Sequence, residues 1–211
     1  MTTHSNLTFF DLETTDKEPL NAEILTGYFI TVDRNFKKID ELYIESKPHQ
    51  YKEESHIIHG ISKQDAMGFM PKSDALKLLA SYLSKHKSSI FICHANHLVF
   101  GKYGYFDEQV IRSEFLFASD KAYFWLYGLS LRVISTHTIC KRVVNLSKYG
   151  LKHIADHFGI IFKHHSCKED TLAMMEIFKR LDVNNLSDED LLDLGHWKRS
   201  RSYENVIIET S

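Results

Sequence analysis

Residues 6 to 12, Asn-Leu-Thr-Phe-Phe-Asp-Leu, make a short run that is apolar on both faces of an extended chain. Such a run reads as a central strand covered above and below, in a sheet with a layer on each side. Within Phe9-Phe10-Asp11-Leu12-Glu13-Thr14-Thr15 the same strand acquires two acids. Residues two apart on a strand share a face, so Asp11 and Glu13 point the same way. Neighbouring buried carboxylates repel, and their pKa values rise unless a counter-charge is supplied. A divalent cation supplies it, and oxygen ligands favour magnesium or manganese over zinc. A strand ending at a solvated edge would carry the same acids, so the segment alone leaves both readings level.

Hydrophobic periodicity places the other elements. Ala22 to Val32 and Phe36 to Ser46 read as strands joined by a turn at Asp33-Arg34-Asn35. Lys72 to Lys85 reads as a helix with Leu76, Leu79, Ala80 and Leu83 on one face and Ser73-Asp74 capping its start. Ser89 to Cys93 is a short strand and Phe106 to Phe117 a helix. Leu131 to Ile139 is ambiguous, a strand running into a helix. Lys148 to Phe158 is helical and stopped by Gly159. Glu169 to Leu181 is the clearest helix, striped by Ala173, Met174, Ile177 and Leu181. This order predicts an α/β fold: a mixed central sheet of about five strands, with an antiparallel hairpin beside parallel strands, flanked by helices. Polar residues dominate from Ser187 onward. The expected division is a domain over residues 1–185 and a helical or extended tail over 186–211.

With 26 Lys+Arg against 28 Asp+Glu, the formal charge is -2. That argues against a protein coating nucleic acid by charge alone; a polyanion would be held at a local site. An apolar share of 43% excludes a mainly disordered chain. Three cysteines suggest no disulfide framework. No run approaches the roughly 18 apolar residues of a membrane helix, and Met-Thr-Thr-His-Ser-Asn lacks the features of a secretory signal. A soluble, cytoplasmic protein without a membrane partner is expected.

Two further acids fall at helix starts. Asp107, in Tyr105-Phe106-Asp107-Glu108-Gln109, sits where an acid also suits the helix dipole. Asp170 shares a helix face with Ala173, Met174 and Ile177, and an inward acid needs a partner or a metal. His165, in the loop before it, is placed to reach a water beside such a metal. The chain has 13 histidines, so a surface histidine would look the same.

Taken together, Asp11-x-Glu13-Thr14-Thr15, Phe106-Asp107 and His165-x4-Asp170 resemble the signature of the DEDDh 3′→5′ exonucleases. That RNase H-like family includes the polymerase III epsilon proofreading subunit and exonuclease I. Ser55-His56-Ile57-Ile58-His59-Gly60-Ile61-Ser62, His94-Ala95-Asn96 and Gly150-Leu151-Lys152-His153-Ile154-Ala155 are similar to its secondary landmarks. The resemblance covers roughly residues 6 to 182. It implies an RNase H-like fold and two divalent cations, Mg2+ or Mn2+, held by Asp11, Glu13, Asp107 and Asp170. It also implies His165 as general base toward water. The implied reaction removes nucleoside 5′-monophosphates from the 3′ end of single-stranded nucleic acid. DNA is favoured, and RNA 3′-end trimming or an oligoribonuclease activity is the alternative.

Leu12 and Thr14 are carried over to the terminal nucleotide, and His59, Asn96 and Phe106 to substrate binding; Phe106 fits core packing equally well. Lys141, Arg142, Lys148, Lys152 and Lys163 offer a local basic rim, and Lys198, Arg199 and Arg201 a second contact. The implied partners are single-stranded DNA or RNA 3′ ends and a polymerase or repair chain; the oligomeric state stays open.

Two positions depart from the family pattern. Asp16 follows Glu-Thr-Thr where the family has Gly, adding negative charge near the substrate entrance or a third outer carboxylate. Asn96 and Asp107 are separated by an inserted loop, His97 to Tyr105, which makes Glu108 a rival to Asp107. Competing classes are a zinc module using His137 with Cys140, or His164 or His165 with Cys167, and a non-catalytic nucleic-acid-binding relative. The first lacks a CxxC rhythm; the second would have lost an acid or the histidine, and all five are present.

Overall fold

The chain is described by a computed structural model over residues 4–95, 105–118 and 131–196. Strand β1 (Leu7–Thr14) lies at the centre of a five-stranded sheet. It pairs antiparallel with β2 (Ile24–Val32), which pairs antiparallel with β3 (Lys38–Glu45). On its other side β4 (Ile90–Cys93) and β5 (Arg132–Ser135) run parallel, giving the order β3-β2-β1-β4-β5. The sheet is therefore mixed and flanked by helices, as the element order predicts.

The two-sided apolar run is explained by two core layers. Leu7 and Phe9 pack on one face with Ile154, Met174, Ile177 and Phe178. Phe10 and Leu12 pack on the other with Leu79, Leu83, Val110 and Phe115. The second layer is built by helices α3 (Lys72–Lys85) and α4 (Phe106–Phe117). The first is built by α5 (Thr136–Val143), α6 (Leu151–His157) and α7 (Cys167–Arg180).

Several boundaries differ from the periodicity reading. β1 continues to Thr14 through a bulge, so Asp11 and Glu13 lie inside the strand. β4 pairs with β1 only as far as Phe9. Among the described residues, the acidic half of β1 thus has a strand on one side only and faces an open notch. Helix α3 begins at Lys72 with Pro71 as N-cap, so Ser73 and Asp74 lie inside its first turn and cap nothing. Two short helices, α1 (Glu53–His59) and α2 (Lys63–Gly68), occupy a stretch read only as a motif. Ser62 and Asp65 form a capping box at the start of α2. The ambiguous segment is β5 followed directly by α5, whose N-cap Ser135 accepts from His137 N–H.

Beyond residue 185, helix α8 (Asp188–Gly195) packs on β5 and α5 and buries Leu191 and Leu194. It approaches β5 so closely that a Cβ at Gly195 would stand 2.6 Å from Ile134 Cβ. Asp188 fastens the helix to Arg34 at 2.6 Å and Arg132 at 3.0 Å. Among the described residues, no helix is long and apolar enough to cross a membrane.

Candidate active site

Strand parity and helix placement bring the acids together. Asp11 and Glu13 share the face of Leu7 and Phe9, which is the face α7 covers. Helix α7 is seated on β2 by Thr171 Oγ1, which donates to Tyr28 O at 3.5 Å, and by the Cys167 Sγ contact with Thr26 Oγ1 at 3.4 Å. Thr26 is the register partner of Glu13. The first turn of α7 therefore hangs over the acidic half of β1, and Asp170 faces Asp11 and Glu13. Oxygen atoms of these three carboxylates lie within 4.8 Å of one another.

Asp107 enters from the other layer, at the start of α4. It lines a hollow of about 700 Å³ with Asp11, Glu13, His94 and Ala95. Its oxygens are not part of the tight three-carboxylate set, but its charge is felt by both Asp11 and Glu13. The rival Glu108 is engaged by Arg112 of its own helix at 2.9 Å.

Burial and mutual repulsion act on the whole group. Burial, then the charges of Asp107, Glu13 and Asp170, push the Asp11 carboxyl well above the ordinary carboxylate range. Burial, then Asp170 and Asp107, push Glu13 up to about 8. Burial raises Asp107 to about 7. Burial also raises Asp170, against the pull of His164. Among the described residues no Lys or Arg forms an ion pair with any of the four. Hard oxygen donors, converging with no Lys or Arg against them, could hold a divalent cation.

His165 stands at the edge of this group. Its backbone is left-handed, with φ of 68°, and its N–H donates to Asp170 Oδ2 at 3.2 Å. Its exposed ring stacks on His164, centroids 3.9 Å apart at 22°. Partial burial and the neighbouring His164 lower its pKa, against the charge of Asp170.

The remaining expectations divide. Leu12, Thr14, His59 and Phe106 all line the 700 Å³ hollow, and Phe106 also packs against the second core layer. Asn96 and the Lys198-Arg199-Ser200-Arg201 stretch lie outside the described residues. Of the basic rim, Lys163 lines an adjoining hollow with Glu13, His59 and His165. Arg142 instead donates to the carbonyls of Asp193 and Leu194, holding the end of α8, and Lys152 pairs with Asp156 one turn on. Asp16 stands outside the tight carboxylate set and pairs with Lys52 at the head of α1. Nothing in the sequence linked those two, because the pairing depends on α1 folding back over the β1–β2 loop. Cys140 and Cys167 are buried thiols and belong to no metal-type cluster among the described residues.

No family model matches the chain, and no curated protein matches it. Solved structures do. Escherichia coli exonuclease I in complex with a dT13 oligonucleotide aligns with a TM-score of 0.68 at 19% identity, over 90% of this chain and 43% of that one. The zinc-bound form of its complex with single-stranded DNA gives 0.65 at 18%, over 87% and 41%. The product-bound form gives 0.65 at 17%, over 90% and 46%. The chain thus spans less than half the length of these proteins. At such identities the likeness is one of fold: the RNase H-like fold of exonuclease I.

Proposed function

We propose that the chain is a metal-dependent 3′→5′ exonuclease that shortens single-stranded nucleic acid, DNA before RNA, to nucleoside 5′-monophosphates. The observation that carries this reading is the convergence of Asp11, Glu13 and Asp170 within 4.8 Å, with Asp107 adding its charge from the opposite layer. The supporting context is the fold of exonuclease I, whose structures include complexes with single-stranded DNA.

Asp11, Glu13, Asp170 and Asp107 would hold the cations. When bound, hard divalent ions supply Lewis acidity toward a phosphodiester and cancel the carboxylate repulsion. Every other task falls to the chain. Leu12, Thr14 and Phe106 offer an apolar and hydroxyl wall against which a terminal nucleoside stacks and orients. His165, exposed at the rim of the cluster, accepts a proton from an attacking water. Asp170 holds the His165 main chain, which keeps the imidazole at the rim of the cluster. Paired Lys52 offsets the charge of Asp16 at the entrance.

The test is incubation of 5′-labelled single-stranded DNA and matched RNA with magnesium or manganese. A ladder shortening from the 3′ end, lost in Asp11→Asn, is expected, with faster decay of DNA. Products that remain full length with both metals would overturn the reading, and faster decay of RNA would reverse the substrate order.

A further inference from the structure

Asp170 belongs to two donor sets, and the proposed exonuclease uses only one of them. Besides the all-carboxylate set, ligand-type atoms of His164, His165 and Asp170 also lie within 4.8 Å of one another. His164 Nδ1 is already 2.9 Å from Asp170 Oδ1. His164 is half-buried and held edge-on by Phe162, ring centroids 5.5 Å apart. The His165 ring is exposed, so its side-chain torsions can turn the imidazole toward a shared ion. His164 is no part of the DEDDh signature, in which His165 alone is matched.

The two sets differ in softness. Three carboxylates suit magnesium and manganese. Two imidazoles with one carboxylate suit zinc and its late first-row neighbours, which also bind nitrogen ligands far more tightly than magnesium does. We propose that His164, His165 and Asp170 form a second, softer metal site that takes zinc, and that zinc held there shuts the carboxylate site. Occupancy would consume the lone pair with which His165 accepts a proton and draw Asp170 away from Asp11 and Glu13. Binding stands on the donor set alone; the inhibitory consequence rests on the exonuclease reading.

The test uses the full chain, freed of metal. Zinc is titrated by calorimetry, and cobalt(II) by visible absorption, in wild type and in His164→Asn. One zinc site per chain is expected, and the substitution should weaken it about tenfold or more. In wild type, zinc should also shift the side-chain nitrogen resonances of two histidines; this readout needs no variant. Zinc inhibition, scaled to each protein's own magnesium-supported rate, should require correspondingly more zinc in His164→Asn. Equal zinc affinity in the two proteins, or zinc binding that leaves the imidazole resonances unmoved, would overturn the site. Zinc binding lost in His164→Asn by a protein that degrades no nucleic acid would uphold the site and remove the exonuclease reading instead.

Discussion

Leu12 lies against Gly27 on the neighbouring strand so tightly that a Cβ at Gly27 would stand 2.8 Å from Leu12 Cδ2. Ile44 and Phe29 crowd the same point at 3.3 Å. Leu12 is at once a member of the core and a wall of the hollow beside the acids. Gly27→Ala must therefore move Leu12. A stability loss of about 1–3 kcal/mol is expected from overpacking, together with a rise in KM larger than any fall in kcat. Denaturant midpoints and steady-state kinetics on a short oligonucleotide check both; an unchanged KM would show that Leu12 does not touch substrate.

The acidic cluster couples stability to pH. Burial and the charges of Asp170 and Asp107 hold Glu13 near 8, and burial holds Asp107 near 7. Both folded-state values lie above the unfolded ones, so the folded state binds more protons across neutral pH. Stability from these groups is present at low pH and lost as pH rises through the folded values. Without metal, the melting temperature should fall between about pH 5 and 8 on this account. Magnesium or manganese should restore it, since a ligand of the folded state stabilises it. Asp11→Asn should raise the metal-free melting temperature at pH 8 and blunt the metal-induced gain. A flat metal-free profile would contradict the repulsion.

His165 offers a cleaner separation of chemistry from folding. Its ring is exposed, and its backbone N–H, not its side chain, holds Asp170. His165→Ala should slow turnover by roughly 10²–10⁴-fold, the usual span for a lost general base, without shifting the melting temperature. Near-normal turnover would remove His165 from the base role.

Lys52 and Asp16 predict a rescue. Lys52→Met leaves the Asp16 carboxylate unpaired at the mouth of the hollow, where it opposes incoming phosphates. KM should rise, most at low salt, with little change in kcat. Adding Asp16→Asn should bring KM back toward wild type. A double variant as poor as Lys52→Met alone would instead make Lys52 a direct phosphate contact.

Asp188 governs the attachment of α8. Burial would raise its pKa, but hydrogen bonds from Ser5 and Arg132 and the charge of Arg34 draw it down to about 2. A depressed carboxylate contributes stability above its unfolded pKa and loses it as pH falls toward the folded value. Asp188→Asn should cost about 2 kcal/mol near neutrality, the scale of hydrogen bonds to a charged group. The difference from wild type should shrink as pH falls from about 4 to 2. A constant difference across that range would assign the loss to packing.

Much of the site was legible in local pattern. Period-two spacing puts Asp11 and Glu13 on one face, and period-3.6 spacing puts Asp170 on the buried stripe of α7; backbone geometry alone sets both. Helices α1 and α2 are too short to show a hydrophobic period, and their one local signature is the Ser62-x-x-Asp65 capping box. Helix α8 was harder. Leu191 and Leu194 are its fully buried large apolar side chains, and its anchors are ion pairs to Arg34 and Arg132, far away in the chain.

By itself, then, the sequence determined which residues face inward, which strand is central, and that Asp11 and Glu13 share one face while Asp170 lies on a buried stripe, because each follows from a repeat of two or 3.6 residues. Tertiary structure alone decided that Asp170 comes within 4.8 Å of Asp11 and Glu13, that Asp16 answers to Lys52, and that His164 touches Asp170. Those distances depend on where α1 and α7 land on the sheet. That placement is set by side-chain fit across layers, which no local spacing encodes.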